Sequence, residues 1–259
     1  MKHAALLVVA TVLVAGAFLL DPIAQDPAYH LFADSRRIFG VTNFWNVVSN
    51  LPFLLAGIGG LRYLSTSQAR DELQSLVPAY RLLFAGVLLT AFGSAWYHSA
   101  PGNDAMVWDR LPMTLVFASL LSIVIAEHVS LSIGRQILLP LLLAGVGSVV
   151  YWSVTESNGA GDLRPYMLVQ FLPMLLIPLI LLLFLSRFNR ARVFWGMIVI
   201  YATAKAVEEL DSRIYMAGQL ISGHSIKHLV AGLAPLLLLR ELKAGSGKQP
   251  ANIRLGHEH

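Results

Sequence analysis

The stretch His224-Ser-Ile-Lys-His-Leu-Val-Ala-Gly-Leu-Ala-Pro-Leu-Leu-Leu-Leu239 sets the fold class of this chain. Extended upstream to residue 220, its apolar body is long enough to cross a bilayer, whose hydrocarbon core takes about 20 residues of helix. Yet it opens with two histidines and a lysine. An ionisable side chain in lipid costs at least about 2.5 kcal/mol, so such residues are read as functional by default. Two imidazoles four residues apart lie on one helix face, and imidazole is the commonest protein ligand for zinc. A third histidine, in Ser94-Ala-Trp-Tyr-His98, ends another apolar run.

Seven further runs of comparable character cover 4–20, 44–63, 82–97, 111–133, 136–154, 166–186 and 193–210. With no water to satisfy backbone groups in lipid, they must be helices. Of 259 residues, 56% are hydrophobic and 13% charged, with mean hydropathy +0.64; soluble domains carry about 25% charge. The expected fold is an all-α membrane protein of eight spans. It divides into an N-terminal transmembrane helix over 1–25, a seven-helix core over 26–243 and a polar cytoplasmic tail over 244–259. The first run follows Lys2 and His3, and Ala17-Phe-Leu-Leu-Asp21 offers no small-x-small cleavage site. It is read as a retained helix or uncleaved signal anchor. Pro52, Pro140, Pro173 and Pro178 are expected to kink spans. The five tryptophans are expected to form an interfacial belt, and Glu127-His128 to lie at the inner interface.

Composition also excludes function classes. The chain has no cysteine, which removes thiolate ligands, disulfides and cysteine nucleophiles. Its net charge of +4 is scattered between apolar runs. A nucleic-acid partner needs a concentrated basic patch and is not expected.

The basic residues also orient the chain. Alternating sides from the N-terminus, one side collects Lys2, Arg62, Arg70, Arg81, Arg135, Arg187, Arg190, Arg192, Arg240, Lys243, Lys248 and Arg254. The other collects Arg36, Arg37, Arg110, Arg164 and Arg213. By the positive-inside rule both termini are cytoplasmic, in an inner or plasma membrane, which requires an even number of spans. The third span then ends outside at His98, the eighth begins outside with His224 and His228, and Asp109 opens the fourth at the same depth. The histidines therefore converge towards the outer face.

The chemistry of these types is coherent. Three neutral imidazoles leave zinc an open position for water, the pattern of catalytic sites, and zinc lowers that water's pKa to about 7. A carboxylate such as Asp109 can act as general base, and a hydroxyl such as Ser94 can donate to a developing oxyanion. Simpler readings stand beside these. The histidines can hydrogen-bond neighbouring helices, Asp109 can cap its helix or pair with Arg110, and Ser94 can be a small packing residue. Lys205, Glu208, Glu209 and Asp211 form a second polar cluster in the seventh span. Lys205 and Glu208 or Glu209, three and four residues apart, are helix neighbours. They form either a neutralising pair that bonds Lys227 or a wet cavity for a lipid headgroup.

In combination, Ser94-x3-His98, Asp109 eleven residues on, and His224-x3-His228 resemble the alkaline ceramidase family, within the CREST superfamily of intramembrane zinc hydrolases, as a bacterial-type member. Asn43-Phe-Trp-Asn-Val-Val-Ser-Asn-Leu51 is similar to the signature that opens that family's first core helix. The resemblance covers residues 26–240. It implies that His98, His224 and His228 hold Zn²⁺, and that Asp109 and Ser94 engage the attacking water and the substrate carbonyl. The implied substrate is a membrane lipid with a ceramide-like N-acyl amide. A core that begins outside favours this branch over the seven-helix progestin and adiponectin receptors of the superfamily. The chain departs from the mammalian pattern at Asn43, where those enzymes carry glutamate, and in a loop with few carboxylates (Asp26, Asp34). Calcium wants several charged oxygen ligands, so a calcium site is doubtful. The rival functions are a non-enzymatic lipid-sensing receptor with the same metal site and a proton-coupled transporter. The latter is disfavoured by the lack of paired broken helices.

The orientation is directly testable because the chain has no native cysteine. Single cysteines at 100–105 are expected to react with an impermeant thiol reagent from outside, and those at 187–192 only from inside. The reverse pattern overturns it.

Overall fold

The computed structural model describes residues 1–186 and 190–245, and these build an all-helical fold without a β-strand. In chain order the helices are α1 (Lys2–Leu19), α2 (Phe44–Val48), α3 (Leu51–Tyr63), α4 (Ser67–Leu73), α5 (Val77–Ser99), α6 (Asn103–His128), α7 (Leu131–Ser157), α8 (Arg164–Leu183), α9 (Ala191–Glu209), α10 (Asp211–Gly218) and α11 (Gly223–Ala244). The eight expected apolar runs are mostly helical, the second being divided between α2 and α3 and the fourth reaching from α6 into the start of α7. The tail beyond Gly245, with Lys248 and Arg254, and Arg187 of the charge asymmetry lie outside the described residues.

Six helical stretches are long and apolar enough to cross a membrane: Lys2–Leu19, Phe44–Tyr63, Ser67–Ser99, Asn103–His128, Leu131–Ser157 and Arg164–Leu183. Helices α9 and α11, of 19 and 22 residues, are not among them. The reason is composition. Lys205, Glu208 and Glu209 lie in α9, and His224, Lys227 and His228 in α11.

Element boundaries follow local chemistry. The fourth run is apolar to residue 133, but α6 ends at His128 and Ser130 caps α7, accepting from Ile133 N at 3.4 Å. Pro52 kinks nothing. It stands in the first turn of α3, where a missing N–H is harmless, after a break at Ser49-Asn50. Pro140 lies inside α7, and Pro173 and Pro178 inside α8.

Six helices close a ring: α3 packs on α5, α5 on α6, α6 on α8, α8 on α9, α9 on α11 and α11 on α3. Outside it, α7 packs on α6 and α8, and α1 on α8. The main core joins Leu83 and Phe84 of α5, Leu121 and Val124 of α6, Ile177 of α8, Phe194 of α9 and Leu238 of α11. The loop before α8 is fastened by Arg164, which bonds Asp162 through Nε at 2.8 Å and holds that carboxyl down to about 2.

Two expectations about polar positions are corrected. Glu127 is fully buried, not interfacial. Its Oε1 accepts from Tyr80 Oη at 2.6 Å and from Arg190 Nη1 at 2.7 Å. A charge at that depth requires such pairing, and the contact ties α5 and α6 to the start of α9. Trp152 is likewise buried, whereas Trp96 and Trp108 are 60% exposed, as a belt requires.

Removing one partner of the Glu127 pair strands a buried charge, at a cost of about 3–5 kcal/mol. Arg190→Met is therefore expected to lower the thermal midpoint in detergent sharply, and Arg190→Met/Glu127→Gln to recover part of the loss. A single variant as stable as the parent refutes the pin.

Candidate metal centre and its cavity

The site is built where α5 ends and α11 begins. Ser222 caps α11, its Oγ accepting from Ser225 N at 3.3 Å. Asp211 Oδ1 accepts from His224 N at 2.7 Å, a carboxylate at a helix N-terminus where it is most stabilising. Its Oδ2 accepts from Ala33 N at 3.1 Å. Asp211, expected in the polar cavity, thus binds backbone and ties the loop before α2 to α11. Gly223 allows this approach, since a Cβ there would lie 2.3 Å from Val207 O.

His98, His224 and His228 meet here, 1%, 6% and 5% exposed. Their ring centroids are 4.8–4.9 Å apart, and one ligand nitrogen from each lies within 4.8 Å of the others. His98 Nε2 and His224 Nε2 are 3.3 Å apart. A tetrahedral zinc with nitrogens at about 2.0–2.1 Å has ligand–ligand edges of roughly 3.3–3.4 Å, so this edge fits. The three imidazoles can hold a metal ion.

Helix α2 orients the ligands. Ser49 Oγ donates to Asn46 O at 3.1 Å and therefore accepts from His228 Nδ1 at 2.9 Å, which leaves Nε2 as the lone-pair nitrogen. Asn46 Oδ1 accepts from Ser225 Oγ at 2.5 Å. Asn43, in the left-handed region at φ 50°, which asparagine tolerates, donates Nδ2 to His98 O at 2.8 Å. From the loop before α2, Phe32 sits against His98 and His224 with centroids at 4.7 and 4.8 Å. Sequence reasoning missed these supporting residues. Only the Asn43–Leu51 motif signalled them, and it did not say what its side chains touch.

Ser94 and Asp109 come together because α5 and α6 touch at Gly93. A Cβ there would lie 1.9 Å from Trp108 O and 3.3 Å from Asp109 N. The Ser94 hydroxyl interacts with the Asp109 carboxylate. Asp109 lies in the second turn of α6, half-buried, and does not cap the helix. Nor does it pair with Arg110, which bonds Gln25 Oε1 instead, at 2.6 Å.

Ser94, Asp109 and His228 open into one cavity of about 460 Å³ inside the ring. Its body is apolar, lined by Leu83, Val87, Val116, Leu120, Met174, Ile177, Phe194 and Met197. Leu120 follows Asp109 by eleven positions on α6, about 16 Å of helix. Lys205, Glu208 and Lys227 line the same cavity. Glu208 bonds Lys205 and, at 2.7 Å, Lys227 Nζ, which also lies 3.1 Å from His224 Nε2. The pairing expected of that cluster, including the bond to Lys227, is present, one carboxylate serving two lysines, and the cluster faces the cavity.

Ligand-orienting contacts of this kind are worth about 10–100-fold in metal affinity. Ser49→Ala is expected to raise the metal dissociation constant by that factor, measured by chelator competition, without changing helix content. Unchanged affinity removes the orienting role from Ser49.

The family model described as Ceramidase matches residues 38–213. That segment contains Ser94, His98 and Asp109 and ends before His224 and His228, which the fold brings to the same place. No curated protein matches the chain. With more than half of its length matched by that model, and with six helices able to span a membrane, the chain belongs to the ceramidase family.

Proposed function

We propose that this protein is a zinc-dependent amidohydrolase that cleaves the N-acyl amide of ceramide or a ceramide-like membrane lipid. The observation that carries the reading is a cluster of three buried imidazoles, one of which, His228, lines a deep apolar cavity together with Ser94 and Asp109. In this reading His98, His224 and His228 hold the zinc. Zinc in a three-imidazole set supplies Lewis acidity and activates water at neutral pH.

The chain's own residues supply the rest. Asp109 takes a proton from the attacking water as its oxygen bonds the amide carbon, and returns it to the departing nitrogen as the C–N bond breaks. Ser94 donates its hydroxyl to the carbonyl oxygen as negative charge develops there. The apolar cavity receives the acyl chain and keeps water from it. The Lys205–Glu208–Lys227 network and Asp211 stand on the headgroup side. The products are a fatty acid and an amine. The same reading takes α9 and α11 as the seventh and eighth spans of a core that follows α1. Both termini are then cytoplasmic and the metal centre lies towards the outer face, as the Arg and Lys asymmetry favours.

The test is incubation of purified protein with a panel of N-acyl lipids, fatty-acid release being followed by mass spectrometry, beside elemental analysis. About one zinc per chain is expected, lost in His98→Ala and in His224→Ala/His228→Ala. Asp109→Asn keeps the three imidazoles and is expected to keep the metal while turnover falls about 10²–10⁴-fold. Ser94→Ala is expected to lose up to about 10²–10³-fold. Lipid binding without fatty-acid release favours a lipid sensor. Metal loss in Asp109→Asn makes that residue a ligand and requires another base.

A further inference from the structure

Arg110 follows the candidate base on α6, lines the same cavity and is 7% exposed. Its guanidinium lies between two buried rings, 4.1 Å from the Trp152 centroid and 4.7 Å from that of Tyr166. Nη2 donates to the neutral amide oxygen of Gln25, and Nη1 is buried without a partner. The other buried or half-buried cations paired among the described residues each have a carboxylate: Arg36 has Asp34, Arg164 has Asp162, Arg190 has Glu127, and Lys205 and Lys227 share Glu208. No such pair includes Arg110.

Two ring faces and an amide oxygen offset only part of the cost of burying a full charge. The rings also hold the planar guanidinium in one orientation, so little freedom is lost when its free N–H meets an acceptor. A rigid, buried cation that no carboxylate hydrogen-bonds, on the wall of a ligand cavity, is complemented by an anion on the ligand. We propose that Arg110 recognises an anionic group carried near the amide of the lipid, so that the preferred ligand is an N-acyl lipid bearing a carboxylate or phosphate rather than a neutral ceramide. The inference rests on the reading of the cavity as the N-acyl lipid site. It goes beyond that reading in naming the charge of the substrate and the residue that selects it.

The test measures equilibrium binding of three lipids with the same acyl chain to purified full-length protein: a ceramide, its 1-phosphate and an N-acylglycine. Fatty-acid release is followed in parallel. The anionic lipids are expected to bind about 10–100-fold more tightly than the ceramide, the worth of a charge-assisted hydrogen bond. Arg110→Gln is expected to remove that margin, so that the affinities for the three lipids converge. Arg110→Lys, which keeps charge without the planar stack, is expected to retain part of it. Whichever anion binds more tightly identifies the group.

Equal affinity for all three lipids in the parent protein overturns the proposal. So does an Arg110→Gln variant that loses all three alike, since the residue then only supports the fold. If the charge preference and its loss in Arg110→Gln are seen without fatty-acid release, the hydrolase reading fails and the anion site stands. If fatty acid is released with no charge preference, the hydrolase reading stands and the anion site fails.

Discussion

A charged or imidazole side chain inside an apolar bundle persists only where another polar group meets it, because nothing else there replaces its lost hydration. That requirement decides much of which helix touches which. Glu127 draws Tyr80 of α5 and Arg190, just before α9, onto α6. Glu208, towards the other end of α9, draws in Lys227 of α11. Helix α9 is thus fastened at both ends by buried carboxylates, one to α6 and one to α11. The ring around the cavity closes through these two contacts as well as through apolar packing, which has no hydrophobic driving force between helices in lipid.

Polar pairing brings helices together, but the site needs backbone as well as side chains in place, and two glycines decide how near the backbones come. At Gly93 the chain of α6 passes within what would be Cβ contact of α5, so Ser94 and Asp109 share one level. At Gly223 the N-terminus of α11 sits against the end of α9, so Asp211 can hold the amide of His224. A side chain at either point would collide with the facing backbone and force the groups of the candidate centre apart. Much of the support for the imidazoles comes from outside their own helices. Asn46 belongs to α2, Ser49 stands at its C-terminal end, and Phe32 comes from the loop before it.

What can be read in the chain follows from the same physics. Lipid imposes length and helicity, so eight apolar runs can be laid out from composition alone, and ionisable residues inside them or at their ends mark His98, Asp109, His224 and His228. Contacts between distant segments leave no such mark. Glu127 reads as interfacial in sequence because its partner Arg190 is 63 residues away. Trp152 reads as a belt residue because nothing near it announces that Arg110 lies over its ring. Arg110 stands beside Asp109 in sequence and reads as its partner, whereas its hydrogen-bond partner is Gln25, 85 positions earlier. Ser49 and Asn46 are ordinary residues for a helix end, and only their meeting with α11 gives them a role.

The two helices that are read as spans but are too polar to count among the six long apolar ones, α9 and α11, together carry most of the ligands and the lysines. A sum over hydropathy charges Lys205, Glu208 and Lys227 separately, as though each entered lipid alone. In the fold Glu208 bonds both lysines, so the bundle contains one paired network rather than three isolated charges. His224 and His228 are likewise counted as polar residues, although they face each other, His98 and Ser49 across a closed interior. Apolarity therefore under-reads the helices that bear chemistry, and length is the better guide for α9 and α11. Charge along a ligand cavity breaks local rules in this way, and the buried Glu127–Arg190 pair breaks them again at the start of α9, each time with a partner that offsets the cost.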